Sequence, residues 1–132
     1  MRWLVALVLL AGCPRQHDST CMVDTDCGGE VCARDGECLP ASDVRSVKVS
    51  WTIRGMPANA TNCSTTPDFY LQFDGTTLQD IFGYEPVPCM AGQFTIDKLP
   101  NRFQQVEIGT DSRTFDVTVI DSSGMATFNL YP

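Results

Sequence analysis

The stretch "VKVSWTIR", residues 47–54, alternates apolar and polar side chains without interruption. A period of two is typical of a β-strand with one buried face, because successive side chains point to opposite sides. It predicts a strand that turns Val47, Val49, Trp51 and Ile53 inward and leaves its polar residues in solvent. Such a strand needs partners that bury the same face, and the sequence that follows supplies them.

Short segments with the same alternation follow, separated by turn signals rich in Gly, Pro, Asn and Asp. "DFYLQF" predicts a strand with Phe69, Leu71 and Phe73 inward, whereas segment 77–82 fits either a strand or a single helical turn. Six or seven such strands and no convincing long helix predict an all-β fold, an antiparallel β-sandwich at residues 44–132. The remaining predicted strands are 94–96, 105–108, 113–120 with Phe115, Val117 and Val119 inward, and 125–130 with Ala126, Phe128 and Leu130 inward.

Two of the seven cysteines lie in loop-like sequence within the predicted sandwich. A disulfide between Cys63 and Cys89 closes a loop of roughly 27 residues, which stabilises a fold by about 3.5 kcal/mol through lost chain entropy. That is a large fraction of the total stability of a domain of this size. We therefore predict a bridge that ties two loops at one end of the sandwich. A reactive-thiol role is disfavoured, because no base or cation adjoins either cysteine in sequence.

Residues 3–10 form an apolar run that is too short to span a membrane, since eight helical residues cover only about 12 Å. The run ends in Leu10-Ala11-Gly12-Cys13, which resembles the bacterial lipobox. The resemblance implies a lipoprotein signal peptide at residues 1–12, cleavage after Gly12, and attachment of diacylglyceryl and a further acyl chain such as palmitate to Cys13. Two or three acyl chains anchor a protein stably to a membrane.

This interpretation also accounts for the odd number of cysteines, because the other six can pair among themselves. The alternative is an ordinary secretory signal, with Cys13 free or disulfide-bonded. If Cys13 is acylated, residues 13–20 form a polar, flexible, lipid-anchored tether. Pro14 stands where an Asp marks retention in the inner membrane of enteric bacteria. The predicted location is therefore the bacterial cell envelope, with the outer membrane favoured over the inner.

Residues 21–38, "CMVDTDCGGEVCARDGEC", place Cys21, Cys27, Cys32 and Cys38 in an eighteen-residue segment. So short a segment cannot bury a core and needs covalent links, and its four cysteines allow three pairings. The spacing resembles short Cys-rich segments of myxobacterial lipoproteins, and the analogy with small EGF-like modules implies Cys21–Cys32 and Cys27–Cys38. The spacing fits neither a zinc site nor an EF-hand calcium loop, so we predict no metal and no cofactor. Residues 39–43 read as a linker.

Residues 89–108 carry a second resemblance, to transthyretin-like and carboxypeptidase-regulatory-like sandwich domains. In those families a Leu-Pro turn precedes an aromatic residue that enters the core, and Leu99, Pro100 and Phe103 match these positions. Asn101-Arg102 replaces the usual Gly after Pro, so the match is incomplete. The resemblance implies a sandwich that supports adhesion or scaffolding rather than catalysis.

Composition limits the function further. A net charge of −7 and the lack of a Lys/Arg cluster argue against nucleic-acid binding. The only histidine, His17, lies in the predicted tether, so the predicted sandwich cannot carry a Ser-His-Asp or Cys-His site. We therefore expect no enzyme, but a lipid-anchored envelope protein that acts as a binding, scaffolding or adhesion module.

Two functional alternatives remain open: a small hydrolase that uses two carboxylates, and a protease inhibitor that acts through the Cys-rich loop. The partner of a binding module would be a protein or a glycan. Candidate contact residues are Phe82 and Tyr84 in "LQDIFGYEPVP", if they are exposed in a loop. The opposing interpretation is that both rings close one end of the sandwich core.

Overall fold

A computed structural model describes residues 20–132. The predicted signal peptide, the acylated Cys13 and most of the tether therefore lie outside the described residues. Short 3-10 turns at Asp24–Cys27, Ala41–Asp43 and Cys89–Ala91 accompany the strands. The ten strands among the described residues are β1 (Val31–Cys32), β2 (Cys38–Leu39), β3 (Val44–Ile53), β4 (Met56–Pro57), β5 (Asp68–Asp74), β6 (Ile81–Pro88), β7 (Gln93–Pro100), β8 (Gln105–Thr110), β9 (Arg113–Val119) and β10 (Met125–Leu130).

Two sheets form the sandwich. In the first, β3 lies at the centre, with β10 on one side and β7 and the two-residue β4 sharing the other. The second has the order β6-β5-β8-β9. One continuous core fills the space between them, and the predicted inward residues of β3, β5 and β10 are all buried in it. The prediction of an all-β sandwich is therefore confirmed.

One strand pair departs from the antiparallel prediction. β10 runs parallel to β3, with Ala126 opposite Val49 and Phe128 opposite Trp51. A hairpin forces its two strands to be antiparallel, but β10 follows β9, which belongs to the other sheet. The direction of β10 is thus set by the connection after β9, where the chain passes from the second sheet to the first. Its burial is unaffected, and Ala126, Phe128 and Leu130 all point inward.

The predicted inward face of β9 is wrong. Val117 and Val119 are 46% and 63% exposed, whereas Phe115 is half-buried against the core. The register of β8 and β9 shifts at Phe115, so that buried Val106 lies opposite Thr118 and not opposite a valine. A one-residue bulge reverses the faces of every residue beyond it. The two valines therefore point outward despite their regular alternation.

The predicted link between Cys63 and Cys89 is present at one end of the sandwich. Cys63 lies in the turns before β5, and Cys89 follows β6 directly. The buried indole Nε1 of Trp51 donates a hydrogen bond of 2.8 Å to the Cys89 carbonyl oxygen. The Trp51 ring also meets Phe69 edge to face, with centroids 6.0 Å apart. A disulfide, a hydrogen bond and an aromatic contact therefore hold these loops against the core.

The Cys-rich segment is joined by Cys21–Cys32 and Cys27–Cys38, the pairing that the EGF-like analogy implies. Its strands β1 and β2 form a small antiparallel pair. Residues 39–43 are more ordered than a simple linker, because Leu39 pairs with Val31 and Ala41–Asp43 forms a 3-10 turn into β3. The apolar side chains that this segment buries are Cys21, Cys32 and Ala33.

Candidate binding groove

A groove of about 630 Å³ crosses the outer face of the second sheet. The alternation of β5 turns Phe69, Leu71 and Phe73 into the core, and it therefore presents Tyr70 and Gln72 to the opposite face. Strand β6 and the turn between β8 and β9 supply the sides of the groove. The lining residues are Tyr70, Leu71, Gln72, Gly83, Tyr84, Glu85, Thr110, Asp111, Ser112, Arg113 and Thr114.

A glycine gives the Tyr70 ring its position on the groove floor. Gly109 of β8 lies directly opposite Tyr70. A Cβ atom at this position would lie 2.7 Å from the Tyr70 hydroxyl oxygen and 2.6 Å from the Arg113 carbonyl oxygen. Only glycine therefore lets the ring lie across β8 without a shift of the backbone.

The Tyr70 hydroxyl is fixed by two polar neighbours. It donates a hydrogen bond to the Glu107 carboxylate and lies 3.0 Å from Thr114 Oγ1, which itself donates to Glu107 Oε1 at 2.7 Å. Partial burial, followed by the hydrogen bond to Glu107, raises the pKa of Tyr70. The ring is therefore a neutral platform whose orientation is set before any ligand arrives.

Two carboxyl groups meet at the edge of the groove. A side-chain hydrogen bond to Asp111 and the charge of Asp111 raise the pKa of Glu85. Glu85 belongs to β6, and Asp111 lies in the β8–β9 turn, so the pair spans the two sides. The pair disfavours an anionic ligand, because two nearby carboxylates repel a third negative charge.

The predicted contact residues Phe82 and Tyr84 lie in strand β6 and not in a loop. Both are half-buried and pack against the core. Their rings meet edge to face at 5.3 Å, and Tyr84 packs on Phe94 at 4.7 Å, which closes the sandwich between β6 and β7. Tyr84 also contributes to the groove lining, whereas Phe82 packs against Phe103. Their role in partner binding stays a prediction.

Sequence reasoning missed Tyr70, Glu85 and Asp111. Periodicity places Tyr70 on the outer face of β5, but it does not show which strands lie beside it. Tyr70 and Gly109, which pair across β5 and β8, are 39 residues apart in sequence. Glu85 and Asp111 are 26 residues apart. The only local signal was a tyrosine at an outward strand position, with the polar residues Asp68 and Gln72 on the same face.

The Cys-rich segment docks on a bulge in β7. There Asp97 and Lys98 together oppose a single residue of β3, Ser46. Lys98 adopts a φ of 52°, which is costly for a residue with a side chain and is tolerated where the surroundings fix it. Its Nζ binds both carboxylate oxygens of Asp24 at 2.7 and 2.8 Å, and its carbonyl oxygen accepts the Arg34 amide at 3.1 Å. Arg34 in turn pairs with Asp97.

Arg102 completes the docking at the β7–β8 turn. Its guanidinium pairs with Asp35, with Glu37 at 2.8 Å and with Asp80 at 3.2 Å. It also lies over the Phe103 ring, 5.2 Å from the centroid. One cation thus joins the Cys-rich segment, the β5–β6 loop and the core. In the sequence, Arg102 stood out only because Asn101-Arg102 replaces the Gly that usually follows Pro in the resembling families, and its ion pairs were not predicted.

Two acids of the Cys-rich segment, Asp24 and Asp26, accept hydrogen bonds from other groups of the protein. Hydrogen bonds from Lys98 and from the Cys32 amide lower the pKa of Asp24. Hydrogen bonds from the backbone amides of Met22 and Val23 likewise lower the pKa of Asp26. The sulfur atoms of Cys21, Cys27 and Cys32 lie within 4.8 Å of one another, but each belongs to a disulfide and is not a thiolate.

Comparison with protein-family models, curated proteins and solved structures found no match to this chain. The resemblances to lipoproteins, to myxobacterial Cys-rich segments and to transthyretin-like domains therefore stay predictions. In the part of the chain that the structure describes, no helix is long and apolar enough to cross a membrane.

Proposed function

We propose that the protein is a lipid-anchored bacterial envelope protein, held in the outer membrane through Cys13, that acts as a non-catalytic binding module. Three disulfides among the described residues support export, because such bonds persist in oxidising compartments. The lipobox-like Leu10-Ala11-Gly12-Cys13 supports the anchor. The observation that carries the binding role is the groove over Tyr70, whose volume suits a small ligand or a short segment of a polymer.

The groove favours a glycan over a protein partner. Protein interfaces concentrate their binding energy in buried apolar, aromatic and Arg anchors. In this groove the aromatic rings are Tyr70 and Tyr84, the Arg113 guanidinium lies over the Phe115 ring, and most of the other lining side chains carry hydroxyl, amide or carboxyl groups. Sugars bind through such polar groups and through contact of their C–H faces with an aromatic ring. The Glu85–Asp111 pair disfavours acidic sugars at the groove edge, and the one cation of the lining, Arg113, lies over the Phe115 ring.

Binding of purified mature protein to immobilised oligosaccharides tests this role. The set contains neutral, amino-substituted and acidic sugars, and we expect binding to the first two classes only. Glu85→Gln removes a charged acceptor at the groove and is expected to weaken binding about tenfold. Glu30→Gln, the same change on the Cys-rich segment, is the matched control and leaves binding unchanged. Equal effects of the two substitutions, or binding to none of the sugars at millimolar concentration, would contradict the proposal.

A carboxylate-based hydrolase is a second candidate, because Glu85 and Asp111 converge at the groove. Glycosidases hold their two carboxyl groups about 5–9.5 Å apart, so that a sugar or a water fits between them. Here Asp111 lies close enough to raise the pKa of Glu85, and both residues are exposed to solvent, which favours binding over catalysis. Incubation of the protein with any sugar that it binds distinguishes the two: we expect the sugar to be recovered intact, whereas cleavage that Asp111→Asn abolishes would establish the hydrolase.

A further inference from the structure

One end of the molecule combines exposed apolar side chains with the point where the tether joins. Met22 is 90% exposed and Leu78 is 96% exposed, and Val23 and Ile81 are also largely exposed. Met22 and Val23 directly follow Cys21, whereas Leu78 lies in the β5–β6 connection and Ile81 is the first residue of β6. We call these four residues the apolar cap.

The two parts of the apolar cap share this end because Arg102 joins their segments. Arg102 binds Asp35 and Glu37 of the Cys-rich segment and also Asp80, which lies between Leu78 and Ile81. Ile81 pairs with Asp74, whose carbonyl oxygen accepts a hydrogen bond from the Gln104 amide beside Arg102. The cap is therefore built on the docked end of the sandwich and not on its far end.

The tether holds this end close to the membrane. The Cys21 amide donates to the Gly36 carbonyl oxygen at 2.9 Å, and a disulfide fixes the Cys21 side chain. Only seven residues, 14–20, separate Cys21 from Cys13. Seven extended residues reach at most about 25 Å, so a Cys13-linked bilayer lies within contact of the cap.

Charge at this end is only partly balanced and stays negative. Asp24 pairs with Lys98 and Asp97 with Arg34, but Arg102 alone faces Asp35, Glu37 and Asp80. The Asp26 carboxylate accepts the backbone amides of Met22 and Val23 and stays charged, which favours a zwitterionic over an anionic lipid surface.

We propose that the apolar cap rests on the lipid surface to which Cys13 is attached, and so directs the groove away from the membrane; this rests on the lipid anchor of the proposed function. The β8–β9 turn that borders the groove lies at the opposite end of β8 from Arg102. Six residues of strand separate the two by about 20 Å. The cap thus gives a protein on a flexible tether a fixed orientation, with its binding site facing the surroundings.

Methionine oxidation by hydroxyl radicals measures this orientation with side chains that are already present. Met22 reports on the cap, whereas Met56 and Met90, 61% and 59% exposed, report on the opposite end. The acylated mature protein is reconstituted into vesicles of phosphatidylcholine and phosphatidylethanolamine. Vesicle flotation is scored in the same samples. The reference is the unacylated chain that starts at Pro14, mixed with the same vesicles.

We expect vesicle-bound protein to oxidise at Met22 about fivefold or more slowly than the reference, with Met56 and Met90 within about twofold. The double variant V23D and L78D should float equally well but lose the protection of Met22, whereas Tyr131→Asp should keep it. Normal flotation with unprotected Met22 would overturn the orientation and leave the anchor intact. Mature protein that does not float would overturn both the anchor and the cap that depends on it.

Discussion

The two parts of this chain hold their shapes by different means. The sandwich buries a continuous apolar core between two sheets and adds one disulfide at its far end. The Cys-rich segment has no such core and depends on two disulfides and on ion pairs with the β7 bulge and Arg102. The two disulfides therefore fix the shape of the segment, whereas ion pairs fix its position on the sandwich.

The largest expected effect comes from the core. Phe73 is fully buried and meets Tyr84 edge to face, so Phe73→Ala leaves a cavity beneath β6. We expect the free energy of unfolding to fall by about 3–5 kcal/mol. Urea titration followed by Trp51 fluorescence measures it. A loss no larger than that of an exposed substitution would mean that the sandwich does not depend on its core.

The next largest effect comes from removing disulfides, and it should differ between the two parts. The double substitution of Cys63 and Cys89 by Ser frees a long loop that packs on Trp51, and it should destabilise the sandwich by about 3 kcal/mol. The same substitution of Cys27 and Cys38 should change sandwich unfolding by less than about 1 kcal/mol, because that bridge lies outside the core. Its effect should appear as faster amide exchange within residues 21–38. Equal losses in the sandwich would show that the two parts unfold as one unit.

The electrostatic docking should be sensitive to one cation. Arg102→Ala removes contacts to three carboxylates at once, and we expect amide exchange in residues 21–38 to rise about tenfold. Lys48→Ala is the matched control, because Lys48 is exposed on β3 and makes no ion pair within residues 20–132. Similar exchange in the two variants would show that the disulfides alone position the segment.

Acid should loosen the same docking. Hydrogen bonds from Lys98 and from Arg34 lower the pKa values of Asp24 and Asp97 respectively. A carboxyl group whose pKa is lower in the folded protein than in the unfolded chain stabilises the fold fully above the unfolded pKa, about 3.9 for Asp. This stabilisation is lost as the pH falls from there through the folded pKa. Between pH 6 and pH 3 we therefore expect amide protection factors to fall more in residues 21–38 than in β3 and β5. Parallel losses in both regions would contradict this assignment.

The smallest expected effect tests the corrected face of β9. Val119 points to solvent opposite Gln105, so Val119→Thr should change the free energy of unfolding by less than about 0.5 kcal/mol. Val106→Thr, on the buried face of β8, should cost about 1–3 kcal/mol, because it buries a hydroxyl group. Urea titration of both variants compares them. A larger loss for Val119 would restore the original inward prediction.

The predictable features of the fold are the local ones. Alternation in residues 47–54 identified the inward face of β3, because no bulge interrupts the alternation of side chains between the two faces there. It failed at β9, since a bulge at Phe115 reverses the faces and leaves no mark in the apolar pattern. The parallel pairing of β10 with β3 was also hidden, because it depends on the path of the chain between sheets.

The groove was harder to predict than the fold. Tyr70, Gly109 and Asp111 come from different strands and turns, and only the register of β5 with β8 brings them together. The aromatic pair that did stand out, Phe82 and Tyr84, packs against the core, because large rings beside an open sheet edge are drawn into it. Local sequence thus shows which side chains face outward, and strand register determines which of them meet.

The intact mass of mature protein extracted from membranes, taken before and after reduction and alkylation, tests the proposed anchor and the disulfides together. We expect a chain that starts at Cys13 and carries two or three acyl chains, with six alkylatable thiols that appear only after reduction. An unacylated chain with seven alkylatable cysteines after reduction would make Cys13 an ordinary thiol. That result would contradict the lipid anchor and the orientation that depends on it.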